Sequence, residues 1–422
     1  MWNLVCSECG IEYDEREVRY VCPVCATEQR VGDVVRGLLE VRWKPEALRS
    51  GWETYKNDQV RAGFERMRPL LPLSDSVQAL PLLVGDTPLC PVLRLRTLID
   101  MPRLWVKDDT RNPSGSYKDR ASALVCLKAI EYGETAIVAA STGNAASALA
   151  CLAASLGQNV FVIVPSAAPP AKLTQILCYG ARVLPVLGSY DDAFELSLEA
   201  TRSLGWYNRN TGYNPFTVEG KKTCAVEIVR DLGYRAPDVV VVPTGDGVIL
   251  AGIAKGFRDL VVAGAISSIP RLIAVQASGA ASLARAVRDG GDLRSVSGSF
   301  SVADSICVDV PRAGLLAMRD IRATGGGAVI VDDGAILSAL ADLARISGIY
   351  AEPAAAASLA GLRQALSEGL VSREEETVLL VTGGGLKDTK AASLSVPAPF
   401  DPVKPDLNAI MQFIQRNGKN TF

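Results

Sequence analysis

The chain has 422 residues, of which 48% are hydrophobic and 21% are charged, and its formal net charge is −2. This length is enough for two or three packed units, and the composition is typical of a soluble globular protein. A nearly neutral chain has no general attraction to nucleic acid or to an anionic membrane, so we expect neither partner. The sequence contains no histidine, which excludes a Ser-His-Asp hydrolase and a histidine-ligated metal site.

The N-terminal segment carries two C-x2-C pairs, formed by Cys6, Cys9, Cys22 and Cys25. Four thiolates at this spacing are typical of a tetrahedral structural zinc site, so residues 1–30 are predicted to form a small zinc ribbon. Two disulfide bonds are a weaker alternative, because no signal peptide is recognisable. The other six cysteines are scattered through apolar segments. This distribution suits a reducing compartment, and we expect a cytoplasmic protein.

Residues 31–103 contain proline-rich connections and at least one helix, and are expected to begin the larger of two domains. From residue 104 to about 390, short apolar runs alternate with Ala/Leu-rich stretches of helical length. The predicted strands are 104–107, 136–140, 160–165, 182–186, 239–243, 271–276, 328–331 and 377–381. The predicted helices include 120–132, 145–156, 222–232, 248–260, 335–346 and 353–367.

This alternation of strands and helices predicts parallel sheets that are covered on both faces. Eight strands exceed one sheet of ordinary size. We therefore predict two three-layer α/β domains, a small one over 104–205 and a large one over 206–394. Residues 395–422 are predicted to form a proline-rich linker and a short amphipathic helix, which packs on the body or on a neighbouring subunit.

Lys118 lies in the segment N-P-S-G-S-Y-K-D-R (112–120), where a turn leads directly into a predicted helix. A lysine in this setting is well placed to form a Schiff base with a carbonyl cofactor. Ser141, Thr142, Gly143 and Asn144 follow a strand and open a helix, so we expect them to bind a substrate carboxylate. Asn144 is also expected to donate to a ring hydroxyl of the cofactor.

Two further segments supply the other groups that such a cofactor needs. A loop opens a helix after the strand 239–243 and is expected to bind a phosphate. It comprises Thr244, Gly245, Asp246, Gly247 and Val248. Thr382 follows the last strand and is expected to present its hydroxyl to a ring nitrogen. Together these segments predict pyridoxal 5'-phosphate (PLP) as the cofactor.

In this order, the segments resemble those of fold-type II PLP enzymes, the tryptophan synthase β-like group, and most closely those of threonine synthases. N-P-S-G-S-Y-K-D-R (112–120) is similar to the family's N-P-T-G-S-F-K-D-R. S-T-G-N-A-A-S (141–147), N-P-F-T-V-E-G-K-K-T (214–223), E-P-A (352–354) and T-G-G-G-L-K-D (382–388) also resemble family motifs. The resemblance covers roughly residues 80–390 and implies the fold-type II architecture and a homodimer. An N-terminal zinc ribbon also occurs in some threonine-synthase-like proteins.

The substrate-binding positions depart from the family pattern. Threonine synthases bind the phosphate of O-phosphohomoserine with an arginine, a threonine and a serine, and the matching positions here are Thr217, Ala145 and Gly212. The resemblance therefore implies an elimination or replacement, at the β or possibly the γ carbon, on a hydroxy- or otherwise substituted α-amino acid, with Thr217 as a candidate contact. A true threonine synthase, in which Lys221 partly replaces the lost arginine, is the alternative. A non-catalytic PLP-binding protein is the third possibility.

Overall fold

The computed structural model describes residues 1–30 and 32–417, so the last five residues of the predicted C-terminal segment lie outside the described part. The strands are β1 Trp2–Cys6, β2 Glu12–Tyr13, β3 Leu39–Trp43, β4 Leu89–Cys90, β5 Leu104–Asp108, β6 Ala136–Ala140, β7 Asn159–Pro165, β8 Arg182–Val186, β9 Tyr207–Asn208, β10 Val239–Pro243, β11 Arg271–Ala277, β12 Gly327–Val331 and β13 Thr377–Val381.

The α-helices are α1 Pro45–Asn57, α2 Gly63–Arg66, α3 Leu93–Ile99, α4 Lys118–Glu131, α5 Asn144–Leu156, α6 Pro170–Cys178, α7 Tyr190–Leu204, α8 Phe216–Lys221, α9 Thr223–Asp231, α10 Val248–Val262, α11 Ser282–Asp289, α12 Gly314–Ala323, α13 Asp333–Asp342, α14 Pro353–Ser367, α15 Thr389–Ser393 and α16 Leu407–Asn417. Short 3-10 turns cover Cys25–Glu28, Arg68–Leu70, Asp109–Arg111, Ser278–Ala280, Asp304–Ile306 and Gly385–Lys387, and a π-helical turn covers Leu343–Ser347.

A six-stranded sheet forms the centre of the large domain, in the order β12-β11-β10-β13-β5-β4. Its strands are parallel except for the antiparallel edge strand β4. Alternate residues of β10 enter different apolar clusters: Val240 and Val242 pack with residues of α10, and Val239 and Val241 pack with residues of α14. Because successive side chains point to opposite faces of a strand, helices cover both faces of this sheet.

A four-stranded parallel sheet forms the small domain, in the order β8-β7-β6-β9. Ile137 and Ala139 of β6 belong to the apolar cluster that contains α4 and α5, whereas Val138 and Ala140 pack with Phe194 of α7. Helices therefore cover both faces of this sheet as well. The two three-layer α/β domains predicted from the alternating pattern are confirmed.

All eight predicted strands are present, and their ends agree to within one residue. The domain boundaries differ from those expected. β5 lies in the large sheet, between β13 and β4, although 104–108 was assigned to the small domain. Conversely, β9 pairs with β6 in the small sheet, although it follows residue 206. Local periodicity identifies a strand, but it does not indicate which sheet the strand joins.

The N-terminal ribbon is an antiparallel three-stranded sheet in the order β2-β1-β3. Since Trp2 pairs with Trp43 and Cys6 with Leu39, the ribbon extends beyond the expected boundary at residue 30. Its buried residues share one apolar cluster with α4, α5 and α10. In addition, Trp43 Nε1 donates to Glu219 Oε1 at 2.8 Å. The ribbon is therefore packed onto the two α/β domains.

The predicted C-terminal helix is present as α16. Its expected apolar face, formed by Leu407, Ile410, Met411 and Ile414, is between 46% and 70% exposed, so it is not covered by the described residues. Phe413 contacts the ring of Phe400 in the preceding linker, with ring centroids 4.8 Å apart. None of the helices in the described part of the chain has the length and apolar character needed to cross a membrane.

Candidate active site

Three chain segments meet where β5 and β13 end at the same edge of the large sheet. The backbone N–H of Tyr117 donates to Thr382 O at 2.8 Å, and that of Glu352 donates to Gly383 O at 2.9 Å. Lys118 is the first residue of α4 and follows Tyr117 directly. These backbone bonds bring the lysine, the threonine and the glutamate side chains to one small cavity.

Lys118 is half-buried in this cavity, which it lines together with Asn144, Asp246, Glu352 and Thr382. Burial lowers the pKa of the Lys118 ammonium below its ordinary value, and the negative charges of Asp246 and Glu352 only partly oppose this effect. A lowered pKa increases the fraction of neutral amine near pH 7. The structure therefore supplies a nucleophilic amine at this position.

The loop 141–144 connects β6 to α5 and contributes Asn144 to the same cavity. Asn144 Nδ2 donates to both carboxylate oxygens of Glu352, at 2.8 and 3.0 Å. Ser141, Thr142 and Gly143 line an adjoining cavity of about 430 Å³, into which Lys118 also faces. The N-terminus of α5 presents backbone N–H groups there, which suits a carboxylate ligand.

The loop 244–248 connects β10 to α10 and requires its glycines. A Cβ atom on Gly245 would lie 2.9 Å from Ile306 Cα, and one on Gly247, where φ is +88°, would lie 2.9 Å from Ala317 Cβ. Glycine has no side chain, so an anion can approach the backbone N–H groups at this helix N-terminus closely. Asp246 Oδ1 accepts the Val248 N–H at 3.0 Å, so its carboxylate is turned toward this helix terminus.

The side chains of two residues of this loop have partners elsewhere in the protein. The Thr244 hydroxyl donates to Val242 O at 2.8 Å. Val248 is fully buried in an apolar cluster with Val35 and Leu38. Any contact of Val248 with an anion is therefore through its backbone alone.

Thr382 is 7% exposed, and its hydroxyl makes no hydrogen bond to another group of the described residues. It therefore remains available to a ligand in the cavity. The amine, the amide, this hydroxyl and the glycine loop form the donor set that an aldehyde-bearing, phosphorylated pyridine ring requires. Because they supply this donor set, the residues of the cavity are suited to bind PLP.

Glu352 is a site residue to which the sequence assigned no role. It is 4% exposed, and burial raises the pKa of its carboxyl above the ordinary value, although the Asn144 amide and the charges of Lys387 and Lys118 oppose the rise. The E-P-A segment that precedes α14 was visible as a motif. Its glutamate reaches the cavity because the backbone of residue 352 pairs with that of residue 383, and the sequence does not reveal this pairing.

Thr217 does not reach the cavity. It is fully buried, and its hydroxyl donates to Asn214 O at 2.7 Å, within its own helical turn. Lys221 is also fully buried, and its Nζ donates only to Thr217 O at 3.3 Å. Burial lowers the pKa of Lys221 well below its ordinary value, and the charges of Lys118 and Arg209 lower it further. Neither residue lines the substrate cavity, so neither replaces the arginine of the family pattern by direct contact.

The four N-terminal cysteines are close together at one end of the ribbon. Their sulfur atoms all lie within 4.8 Å of one another, with Cys6 and Cys25 3.8 Å apart and Cys9 and Cys22 3.7 Å apart. Four thiolates bound tetrahedrally to zinc are separated by about 3.8 Å, whereas a disulfide requires about 2 Å. The arrangement therefore matches a metal site and not two disulfide bonds.

The pyridoxal-phosphate dependent enzyme family matches residues 80–383 of the chain. The chain belongs to this family. The threonine synthase of Methanocaldococcus jannaschii is 34% identical over 414 residues, which cover 97% of this chain and 98% of that protein. The threonine synthase of Methanosarcina acetivorans is 35% identical over 390 residues, which cover 92% and 93%. The protein is therefore a PLP-dependent, threonine-synthase-like enzyme.

Solved structures show the same fold at lower sequence identity. Maize serine racemase is 19% identical, with a TM-score of 0.64, and the match covers 89% of this chain and 98% of that protein. Diaminopropionate ammonia lyase from Escherichia coli is 18% identical, with a TM-score of 0.62 and coverage of 94% and 97%. These similarities, with the two α/β domains, identify the fold-type II PLP architecture.

Proposed function

We propose that this enzyme catalyses an elimination or a replacement at the β or γ carbon of an α-amino acid whose side chain carries a hydroxyl or another leaving group. The observation that carries the proposal is the single cavity lined by Lys118, Asn144, Thr382 and residues 244–247 of the glycine loop. Bound PLP supplies an electron sink that stabilises a carbanion at the α-carbon of an amino acid.

In this proposal the residues of the chain have distinct roles. Lys118 would hold the cofactor through its aldehyde carbon and would move the proton at the α-carbon of the substrate. Asn144 would donate to the ring hydroxyl, and backbone N–H groups of 245–247 would bind the phosphate. Thr382 would offer a neutral hydroxyl to the ring nitrogen. Unlike a carboxylate, this hydroxyl does not keep the nitrogen protonated. Thr382 therefore favours rapid loss of a leaving group over transamination.

The loop 141–144 is proposed to bind the substrate carboxylate through its backbone N–H groups and the hydroxyls of Ser141 and Thr142. This contact orients the α-carbon toward Lys118, because both groups line the same 430 Å³ cavity. Orientation of this kind lowers the entropic part of the barrier.

A second candidate is the conversion of O-phosphohomoserine to threonine. It is favoured by the two relatives named threonine synthase, which match this chain along nearly its whole length. The buried position of Thr217 counts against a phosphate site built at the family positions. The two candidates share the same PLP site and differ in the leaving group.

The test is to incubate the PLP-loaded enzyme separately with O-phosphohomoserine, O-phosphoserine, serine and threonine, and to measure phosphate, keto acids and new amino acids. Phosphate and threonine from the first compound support threonine synthase. A keto acid from any of the other three supports the elimination enzyme. Absence of product from all four contradicts this substrate class.

We also propose that Cys6, Cys9, Cys22 and Cys25 bind one structural zinc ion. The support is the separation of their sulfur atoms and the closed set of four ligands. Elemental analysis should give one zinc per chain, and Cys9→Ser should lower this content. Cys178→Ser replaces an exposed cysteine outside the cluster and should leave the zinc content unchanged. Equal zinc content in both variants would contradict the assignment.

We further infer a cytoplasmic homodimer, from the resemblance to fold-type II enzymes and from the scattered free cysteines. The exposed apolar face of α16 is a surface that a second subunit would cover. Light scattering should give about twice the chain mass of 44.7 kDa. A monomeric mass would contradict the inference.

A further inference from the structure

The N-terminal ribbon contacts both α/β domains, although the proposed reaction gives it no role. It contacts the small domain where Arg19 Nη1 lies 2.5 Å from Glu134 Oε1, just after α4. It contacts the large domain where Glu40 of β3 lies 2.7 Å from Arg258 of α10 and 2.6 Å from Arg319 of α12. The ribbon therefore links the two domains to each other.

Tyr20 connects the ribbon to one wall of the 430 Å³ cavity. Its hydroxyl accepts the backbone N–H of Asn208, at the end of β9, at 3.0 Å. Its ring stacks on that of Tyr213, with ring centroids 4.8 Å apart. Residues 209–211 lie between these two contacts and line the cavity. Tyr20 therefore holds both ends of a short loop whose middle part forms a wall of the cavity.

Val35 connects the ribbon to a second wall of the same cavity. Its backbone N–H donates to Arg312 O at 3.1 Å. Arg312 lines the cavity, and its guanidinium pairs with Asp191 of α7 in the small domain at 2.5 Å. A Cβ atom on Gly212 would lie 2.8 Å from Arg312 Cβ. The loop that Tyr20 holds and the segment that Val35 holds are therefore in close contact.

The second C-x2-C pair of the ribbon lies between Tyr20 and Val35 in the chain. Tyr20 precedes Cys22 by two residues. The backbone N–H of Cys22 donates at 2.8 Å to the carbonyl of Gly37, two residues after Val35. A metal ion bound to the four cysteines would therefore keep both contacts in one rigid unit.

We propose that the ribbon positions two walls of the substrate cavity, and that Tyr20 and Val35 are the positioning residues through which it acts. A substrate binds more tightly when the walls that contact it are already held in place. Lys118 does not depend on these contacts, because the backbone pairing of Tyr117 with Thr382 holds it. This inference rests on the proposed function, since it takes the 430 Å³ cavity as the substrate site.

Tyr20→Leu tests the first contact, because it removes the ring and the hydroxyl and leaves every residue of the cavity unchanged. Trp52→Leu is the matched control. Trp52 is 3% exposed, and its ring stacks on that of Tyr55 within α1 at 5.4 Å, away from the residues that line the cavity. Both variants lose a packed aromatic ring, so a general loss of stability affects both. Tyr20→Phe removes only the hydroxyl and should show a smaller effect of the same kind.

The first readout is hydrogen–deuterium exchange of the PLP-loaded enzyme, which needs no substrate. The backbone amides of 208–213 should exchange about tenfold faster in Tyr20→Leu than in the wild type, because the loop loses its attachment to the ribbon. In Trp52→Leu these amides should exchange as in the wild type. Equal exchange of 208–213 in the two variants would overturn the inference.

Cys9→Ser extends the exchange measurement to the second contact. Loss of one of the four thiolates should loosen the whole ribbon, so exchange should become faster both at 208–213 and at 312–313. Cys178→Ser replaces an exposed cysteine outside the cluster and should change neither segment. The same exchange at 312–313 in these two variants would contradict the contact through Val35.

The second readout is the KM for whichever of serine, threonine, O-phosphoserine and O-phosphohomoserine the enzyme converts. Tyr20→Leu should raise KM about fivefold and change kcat by less than about twofold, since the contact holds the cavity wall and not the reacting lysine. Trp52→Leu should keep the KM of the wild type. An unchanged KM in Tyr20→Leu would overturn the inference.

The two readouts separate this inference from the proposed function. Retained visible absorption of the cofactor in each variant shows that the cofactor site is intact. If exchange at 208–213 becomes faster in Tyr20→Leu alone of the two matched variants and none of the four amino acids reacts, the positioning by the ribbon stands and the proposed function fails. If an amino acid reacts with the same KM in the wild type and in Tyr20→Leu, the proposed function stands and the inference fails.

Discussion

At the scale of single residues, the proposed function requires Lys118 for cofactor attachment. Lys118→Ala should abolish the visible absorption of the lysine-bound cofactor and all turnover, because no other amine lines the cavity in the described residues. Lys390→Ala changes an exposed lysine of α15 and serves as the control. A Lys118→Ala protein that keeps the absorption band after gel filtration would refute the assignment.

The pKa of Lys118 also predicts a pH dependence. Only the neutral amine attacks an aldehyde, and burial lowers the pKa of Lys118 below its ordinary value of 10.5. The rate of PLP attachment to the apoenzyme should therefore rise with pH and level off with a midpoint below 10.5. Asp246 raises this pKa, so Asp246→Asn should move the midpoint to still lower pH. A midpoint at or above 10.5 in stopped-flow absorption measurements would contradict this expectation.

The sequence predicted the cavity residues that belong to compact motifs and missed those defined by their surroundings. Lys118 and Asn144 are each part of a local pattern of turn and helix start. Glu352 belongs to the cavity only because the fold brings its carboxylate to Asn144, which lies 208 positions away in the chain. Thr217 shows the reverse case, since it occupies a motif position but its hydroxyl is turned back into its own helix.

At the scale of elements, a buried ion cluster fixes the start of α4. Arg120 Nε lies 2.6 Å from Asp109 Oδ2, and Arg120 Nη1 lies 2.7 Å from Glu227 Oε1 of α9. Lys107 Nζ of β5 lies 2.8 Å from Glu227 Oε2. All four side chains are fully buried. The cluster ties α4 to β5 and α9, two residues after Lys118.

Replacing one member of this cluster should leave buried charges unpaired. Arg120→Met should lower the free energy of unfolding by about 3–5 kcal/mol, measured by urea denaturation. Arg49→Met changes an exposed arginine of α1 and should alter stability by less than about 0.5 kcal/mol. Similar losses in the two variants would contradict a specific contribution of the cluster.

The same cluster predicts how stability depends on pH. The positive charges of Arg120 and Lys107 overcome the effect of burial and hold the pKa of Glu227 far below its ordinary value of 4.5. Its contribution to stability is therefore complete above about pH 4.5 and decreases as the pH falls toward the folded-state pKa. Glu227→Gln should flatten this acid limb in urea denaturation measured from pH 7 to pH 3.

At the scale of the whole molecule, the ribbon shares its apolar cluster with both α/β domains. Removal of the proposed zinc ion should therefore lower the melting temperature of the entire protein and not only unfold residues 1–30, because loss of the ribbon exposes apolar surface of α4 and α10. Calorimetry before and after treatment with a chelator and a thiol reagent tests this. A melting temperature unaffected by complete zinc removal would contradict it.

The sequence predicted two α/β domains because strand and helix periodicities are local. It did not predict how the chain divides between them, because the pairing of β5 with β13 joins residues more than 270 positions apart. Local patterns likewise do not predict where the ribbon packs on the two α/β domains.

The chain passes between the two sheets twice. Lys118 lies on the way from β5 to β6, and the chain returns to the large sheet between β9 and β10. A rotation of one domain against the other would therefore pivot close to the lysine that is proposed to hold the cofactor. A substrate that contacts both domains would shift the equilibrium between open and closed arrangements by the difference in its affinity for the two.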